Sequence, residues 1–201
     1  MEKLNKFGLY LLLFLGLAIT SCDDDDDAPP EENELEVITD VKLIFTATDG
    51  TEVTARAQDP DGEGVADLEV LDSINLSTDT DYTLTFEILN NLDPNDPEDI
   101  GEEIADEDDE HQFFFSFTED AFSDPTGSGN IDDPDGDINY DDTDDNGNPV
   151  GLSTSWTTST DILEEGEFRV RLQHQPDIKS GDTGANDGDT DIDLTFVLNI
   201  E

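Results

Sequence analysis

Apolar residues in this chain return at every second position, run after run, and that period restricts the fold more than any other feature. Tyr82, Leu84, Phe86 and Ile88 share one side of an extended segment, with Thr83, Thr85 and Glu87 on the other. A strand points successive side chains to opposite faces. Such a run therefore predicts a strand with one buried and one solvated face. The same alternation recurs at Val41, Leu43 and Phe45, at Val53, Ala55 and Ala57, and at Phe113, Phe115 and Phe117. It returns around Leu152, Thr154 and Trp156, at Phe168, Val170 and Leu172, and from Ile192 through Leu194, Phe196 and Leu198 to Ile200. Leu68 and Val70, followed by Ile74 and Leu76, read as a further strand or a bent pair, and Ile138 and Tyr140 lead to Asn146-Gly147 and the strand around Leu152.

Turn chemistry punctuates these runs. Asp49-Gly50 and Asn146-Gly147 are strong hairpin signals, because both central residues of a type I′ turn need positive φ. Ser77 to Asp81 reads as a turn, and Asn90 to Pro97, with Pro94 and Pro97, as a loop. Between Glu98 and Glu110 the spacing changes: Ile100 and Ile104 lie four apart among acidic residues, which allows a short helix or an acidic loop. Glu119 to Asp137 reads as a long polar loop. About eight or nine strands at this spacing predict an all-β fold, an antiparallel β-sandwich of immunoglobulin-like type with long acidic loops. No fixed repeat suggests a solenoid, and no long amphipathic helix alternates with the strands as a parallel α/β sheet requires. The predicted domain spans residues 35–201.

The N-terminus obeys other rules. Lys3 and Lys6 precede an uncharged run from Gly8 to Ile19, followed by Thr20, Ser21 and Cys22. The run is short for a bilayer span and suits the apolar core of a signal peptide. Ile19-Thr20-Ser21-Cys22 resembles the lipobox of bacterial lipoproteins. The resemblance implies removal of residues 1–21, a diacylglyceryl thioether on Cys22 and an acyl amide on its new amino group. Cys22 is also the sole cysteine, so no intrachain disulfide can form. Asp23, Asp24, Asp25, Asp26 and Asp27 follow at once and resemble the export signal of surface lipoproteins in the Bacteroidota. As a block of like charges, residues 22–34 read as a disordered acidic tether.

Charge restricts the partners. Fifty-five acidic residues stand against 7 basic ones, for a formal net charge of −48. Nucleic acid is excluded as a partner, since phosphate recognition requires clustered Lys and Arg. Cations are the natural counterions. Hydrophobic content of 33% with such a charge pushes toward disorder, but the ordered alternation argues for a folded domain with acidic loops.

No nucleophile elbow, phosphate loop or H-E-x-x-H pattern is present, so the chain reads as non-catalytic. Two constellations suit cations. Asp142, Asp144 and Asn146 take positions 1, 3 and 5 of a calcium-type loop with Gly147 at 6, though Ser153 stands where the bidentate Glu belongs. The same segment is explained without metal as a hairpin turn. Asp133 to Asp137 and Asp59 to Glu63 carry similar, weaker signals. The second constellation is the pair of histidines. His111 opens the strand of Phe113, Phe115 and Phe117, and His174 closes the strand of Phe168, Val170 and Leu172, each with the parity of its apolar face. Antiparallel pairing of those strands would bring both imidazoles to one rim near Glu107, Asp108 and Glu110. Two histidines with a carboxylate, Glu110 above all, suit Zn²⁺. Without that pairing they are unrelated histidines at strand ends.

The mature chain resembles a group of small acidic Bacteroidota lipoproteins, often encoded near TonB-dependent receptors. The resemblance is carried by Cys22 with its aspartates, Glu102-Glu103-Ile104 through Asp109-Glu110-His111-Gln112, Asp145-Asn146-Gly147-Asn148-Pro149 and Arg171-Leu172-Gln173-His174-Gln175-Pro176. Relatives are sometimes labelled type 1 periplasmic binding fold proteins, a two-lobed α/β fold that the alternation here contradicts. The resemblance implies an outer-membrane protein, lipid-anchored at the cell surface, with a possible outer-membrane receptor as partner. Together these readings predict a non-catalytic surface lipoprotein that binds a cation or small ligand, with Zn²⁺ or Ca²⁺ as possible cofactors, or assists a receptor. The alternative is a structural or adhesive surface protein whose acidic loops bind Ca²⁺ nonspecifically. A glycan-directed accessory domain is disfavoured because Trp156 is the sole tryptophan.

Overall fold

A computed structural model describes residues 36–59 and 68–201. The leader at 1–21, the tether at 22–34 with Cys22 and Asp23 to Asp27, and the Asp59 to Glu63 turn beyond Asp59 lie outside the described residues. In chain order the elements are β1 (Asp40–Ala47), β2 (Glu52–Gln58), β3 (Glu69–Val70), β4 (Ile74–Leu76), β5 (Asp81–Asn90) and β6 (Glu98–Asp99). Helix α1 (Ile100–Asp106) follows, then β7 (His111–Phe117), β8 (Phe122–Asp124), β9 (Asn139–Tyr140), β10 (Ser153–Thr158), β11 (Leu163–His174) and β12 (Asp189–Ile200). One sheet runs β3-β2-β1-β5-β10-β8, with β6 on β5 and β9 on β10. The second runs β4-β12-β11-β7. The chain is thus an all-β sandwich.

The alternation becomes the core. Val41, Leu43 and Phe45 face inward from β1 beside Leu84 and Ile88 of β5. Opposite them, Phe113, Phe115, Phe168, Val170, Leu172, Phe196 and Leu198 are fully buried from the smaller sheet. The two layers interlock through aromatic rings. Phe86 stacks on Phe113 at 4.4 Å, and Trp156 meets Phe115 and Phe117 edge-on at 5.5 and 5.4 Å. Edge-to-face pairs favour such geometry because a positive ring edge meets a negative face. The buried Trp156 N–H donates to Thr154 Oγ1 at 2.7 Å, so this large ring enters the core with its polar group satisfied.

The structure departs from the pattern where strands are very short. Leu68 to Leu76 is divided between the sheets: β3 pairs with β2, and β4 crosses to pair parallel with β12, the one parallel pair among the described strands. The long loop from Glu119 contains β8, whose Phe122 lies against Trp156 at 4.8 Å. Three residues are too few to show a period. The free edge of β7 is also covered. The N–H groups of Asn130 and Ile131 donate to the Phe115 carbonyl, and Asn130 Oδ1 accepts the Phe115 N–H at 2.9 Å. Gly129 permits this approach, since a Cβ there would lie 2.2 Å from the Phe115 carbonyl oxygen. Capping the edge removes a template for pairing with another chain.

The acidic surface opposes this core. Repulsion among exposed carboxylates weakens as salt shortens the screening length from about 30 Å at 0.01 M to under 10 Å at 0.15 M. The melting temperature should therefore rise between ~0.01 and ~0.3 M NaCl. A flat or falling Tm over that range would remove self-repulsion from the leading destabilising forces.

Candidate metal centre at the histidine rim

Strands β7 and β11 pair antiparallel, and their register sets His174 directly opposite His111. The two imidazoles stack, with centroids 4.4 Å apart and planes 4° from parallel. Both rings are buried. The approach to His111 is built locally. Asp99 caps α1 by accepting the Glu102 N–H, and buried Ile100 and Ile104 fix the helix against the core. After Glu107 the chain turns, with the Glu110 N–H donating to the Glu107 carbonyl, and enters β7 at His111.

Two hydrogen bonds set the histidine tautomers. His111 Nδ1 lies 3.2 Å from the Glu107 carbonyl oxygen, which only accepts, so Nδ1 carries the hydrogen and Nε2 the lone pair. His174 Nε2 lies 3.3 Å from Glu110 Oε2, which places the hydrogen on Nε2 and the lone pair on Nδ1. The two nitrogens left with lone pairs, His111 Nε2 and His174 Nδ1, are buried and have no hydrogen-bond partner. Metal-binding histidines commonly show this arrangement, one ring nitrogen held by a carbonyl or carboxylate and the other free. Burial, ahead of any charge, pushes the His111 pKa down to about 4. Its ring is therefore neutral at physiological pH, the form that coordinates metal.

Carboxylates surround the pair. Donor atoms of Glu107, His111 and His174 all lie within 4.8 Å of one another. Glu107, one of the acids expected near the rim, thus joins the donor group, while Glu110 orients His174. Glu36 also faces the rim. Its burial, then the nearby Glu103 and Glu107, hold its carboxyl above the ordinary range. The rim concentrates negative potential around two neutral imidazoles, an arrangement that attracts a cation and suits a borderline metal preferring nitrogen with carboxylate.

The calcium-type loop is built differently. Asp142 accepts the N–H of Gly151 at 2.8 Å and of Ser153 at 3.2 Å. Asp144 Oδ1 accepts the N–H of Asn146 and Asn148 at 2.9 and 2.8 Å, and its Oδ2 accepts the Asn148 amide at 3.0 Å. Gly147 at φ +87° closes the turn. Lys179 Nζ stands 3.5 Å from Asp144 Oδ2, neither side chain showing exposed surface, and donates to the Asp108 carbonyl. Asp142 and Asp144 thus hold the turn together through backbone N–H groups, with an ammonium beside Asp144, whereas calcium takes 6–8 oxygen ligands. Asn146 is exposed and contributes its backbone N–H.

Residues that the sequence did not single out complete the region. Asp191 is buried, and its carboxylate lies near the Glu36 backbone N–H without a well-formed hydrogen bond to it. Burial raises its pKa to about 7 against the pull of His174. Lys179 joins the calcium-type loop to the turn before His111. Neither residue belongs to a motif, and neither bears a spacing that marks it.

No family model, curated protein or solved structure matches this chain.

Proposed function

We propose that this chain is a non-catalytic, lipid-anchored surface protein that captures a Zn²⁺-like divalent cation at the rim formed by His111 and His174. One observation carries the metal reading: two stacked, buried imidazoles keep unpartnered nitrogens beside a carboxylate. Leaving buried polar atoms unpaired costs stability. A cation bound to both would recover that cost. The rings lie parallel at 4.4 Å, so binding one ion through both requires one ring to tilt, with coordination replacing the stack. Surface location rests on the resemblance of the Cys22 segment and its aspartates to exported lipoproteins. Assistance to an outer-membrane receptor fits a protein that concentrates a cation at the cell surface.

Calorimetry with Zn²⁺ on the full chain in detergent, without a polyhistidine tag, tests the metal reading. One saturable site is expected in wild type and none in the His111→Ala/His174→Ala variant. Weak Ca²⁺ uptake by acidic loops should survive the double change. Affinity should fall as pH drops toward about 4, where the His111 ring takes up a proton, because protonated imidazole does not coordinate. No saturable Zn²⁺ binding, or equal binding by the double variant, would defeat the proposal.

A further inference from the structure

We infer that the rim is a transfer site, in which Glu107 is the third ligand of the cation and the one that yields its place to an incoming neutral imidazole. The inference rests on the metal reading above. One donor atom each from Glu107, His111 and His174 lies within 4.8 Å of the other two. Bonds of about 2.0–2.2 Å put two ligands of a tetrahedral Zn²⁺ roughly 3.4 Å apart, so closing the group takes side-chain movements on the order of 1 Å. Among the described residues the group holds these three members and no fourth. Closed structural zinc sites take four protein ligands, whereas three leave a position for water or for a ligand brought by another molecule.

The three ligands differ in how firmly they are held. Both imidazoles are buried, and their strands fix them as opposite residues. Each is also tied by its second nitrogen, His111 Nδ1 to the Glu107 carbonyl and His174 Nε2 to Glu110. Glu107 is exposed and sits at the C-cap of α1, outside any strand. Its backbone is anchored, since its N–H donates to the Glu103 carbonyl and its own carbonyl accepts the Glu110 N–H and the His111 ring. One residue therefore orients a histidine through its carbonyl while its side chain is free to close on the ion or swing away. Solvent reaches the group from the Glu107 side, because the rings are buried. A donor entering there can replace the carboxylate without disturbing the sheet. Charge selects that donor. Glu36 and Glu103 stand close enough to Glu107 for the cluster to hold the Glu36 carboxyl above its ordinary range. Such a rim repels an anionic ligand and admits a neutral nitrogen.

Three measurements on the full, tag-free chain in detergent test this. In Zn²⁺ calorimetry, Glu107→Gln should weaken binding at least about tenfold, as losing even a ligand's orienting partner does. Its metal-free melting temperature should match wild type, because the side chain is exposed. In the Co²⁺-loaded wild type, added imidazole should shift the visible bands saturably, and acetate should shift them far less. The rate at which Zn²⁺ leaves wild type for an excess of chelator should rise severalfold with imidazole concentration and stay nearly flat with acetate. If wild type binds Zn²⁺ and Glu107→Gln binds it equally well, the inference is overturned while the histidine reading stands. Bands and release rates that ignore imidazole overturn it in the same way, since they describe a closed site. Absence of saturable binding in wild type defeats the histidine reading, and the transfer site with it.

Discussion

Lys179→Met should destabilise the domain by about 3 kcal/mol, the low end of the range for breaking a buried ion pair. For a domain of this size that is a Tm loss of roughly 6–12 °C. Lys179 is lodged between Asp144 and the Asp108 carbonyl, without exposed side-chain surface. Methionine matches its length but leaves Asp144 as a buried carboxylate close to Asp108. The low end is expected because three N–H donors still hold Asp144 after the ammonium is gone. Burial alone lowers the Lys179 pKa, and the neighbouring acids oppose it. The ammonium is thus kept charged by partners that need it. Adding Asp144→Asn to Lys179→Met should restore part of the loss, since the amide oxygen still accepts the Asn146 and Asn148 N–H groups. Thermal melts of both single changes and the double supply the cycle. A Tm within about 2 °C of wild type for Lys179→Met would show that the pair contributes nothing. Failure of the second change to restore stability would place the effect in lost packing instead of charge.

Cys22→Ala should move the protein from the membrane fraction to the soluble fraction almost completely. The lipobox-like Ile19-Thr20-Ser21-Cys22 offers one thiol for acylation, and the chain has no other. Two or more acyl signals hold a protein at a bilayer stably, while a single chain is marginal. Removal of the thiol therefore removes the anchor as a whole. Fractionation with acyl labelling reads this directly, and a variant that stays acylated and needs detergent for release would refute lipidation at Cys22. Replacing Asp23 to Asp27 with neutral residues should leave acylation intact and lower cleavage by protease added to intact cells. Unchanged cleavage would leave those aspartates only the role of a solvated tether.

Strand identity was legible in this sequence because burial on one face of a sheet writes itself as a period of two. Every run with three or more alternating apolar residues became a strand, and Asp49-Gly50 and Asn146-Gly147 became turns with glycine at positive φ. The meeting of His111 and His174 was legible for the same reason. Parity put both on inward faces, and antiparallel pairing sets the start of one strand beside the end of its neighbour. What parity could not supply was the register itself, which depends on how Phe113, Phe115 and Phe117 interdigitate with Trp156 and Phe86 from the other sheet.

Elements of two or three residues fall below the length at which a period exists, so β6, β8 and β9 came from tertiary pairing alone, whereas β3 falls where Leu68 and Val70 marked a strand. The parallel joining of β4 to β12 depends on where a crossing segment finds a free strand edge, a property of the assembled sheets. Asp191 is the sharpest case. Its position in the sequence assigns it to solvent, and a one-residue slip against Leu172 and Gln173 buries it instead. Lys179 is similar: an isolated lysine in a polar turn becomes an internal cation only after Asp108 and Asp144 close around it. Local patterning determined which residues form the two faces of this sandwich, because each residue's burial depends on its own strand's period. Tertiary structure decided which charges lie inside, because burying a charge depends on partners and bulges contributed by other strands.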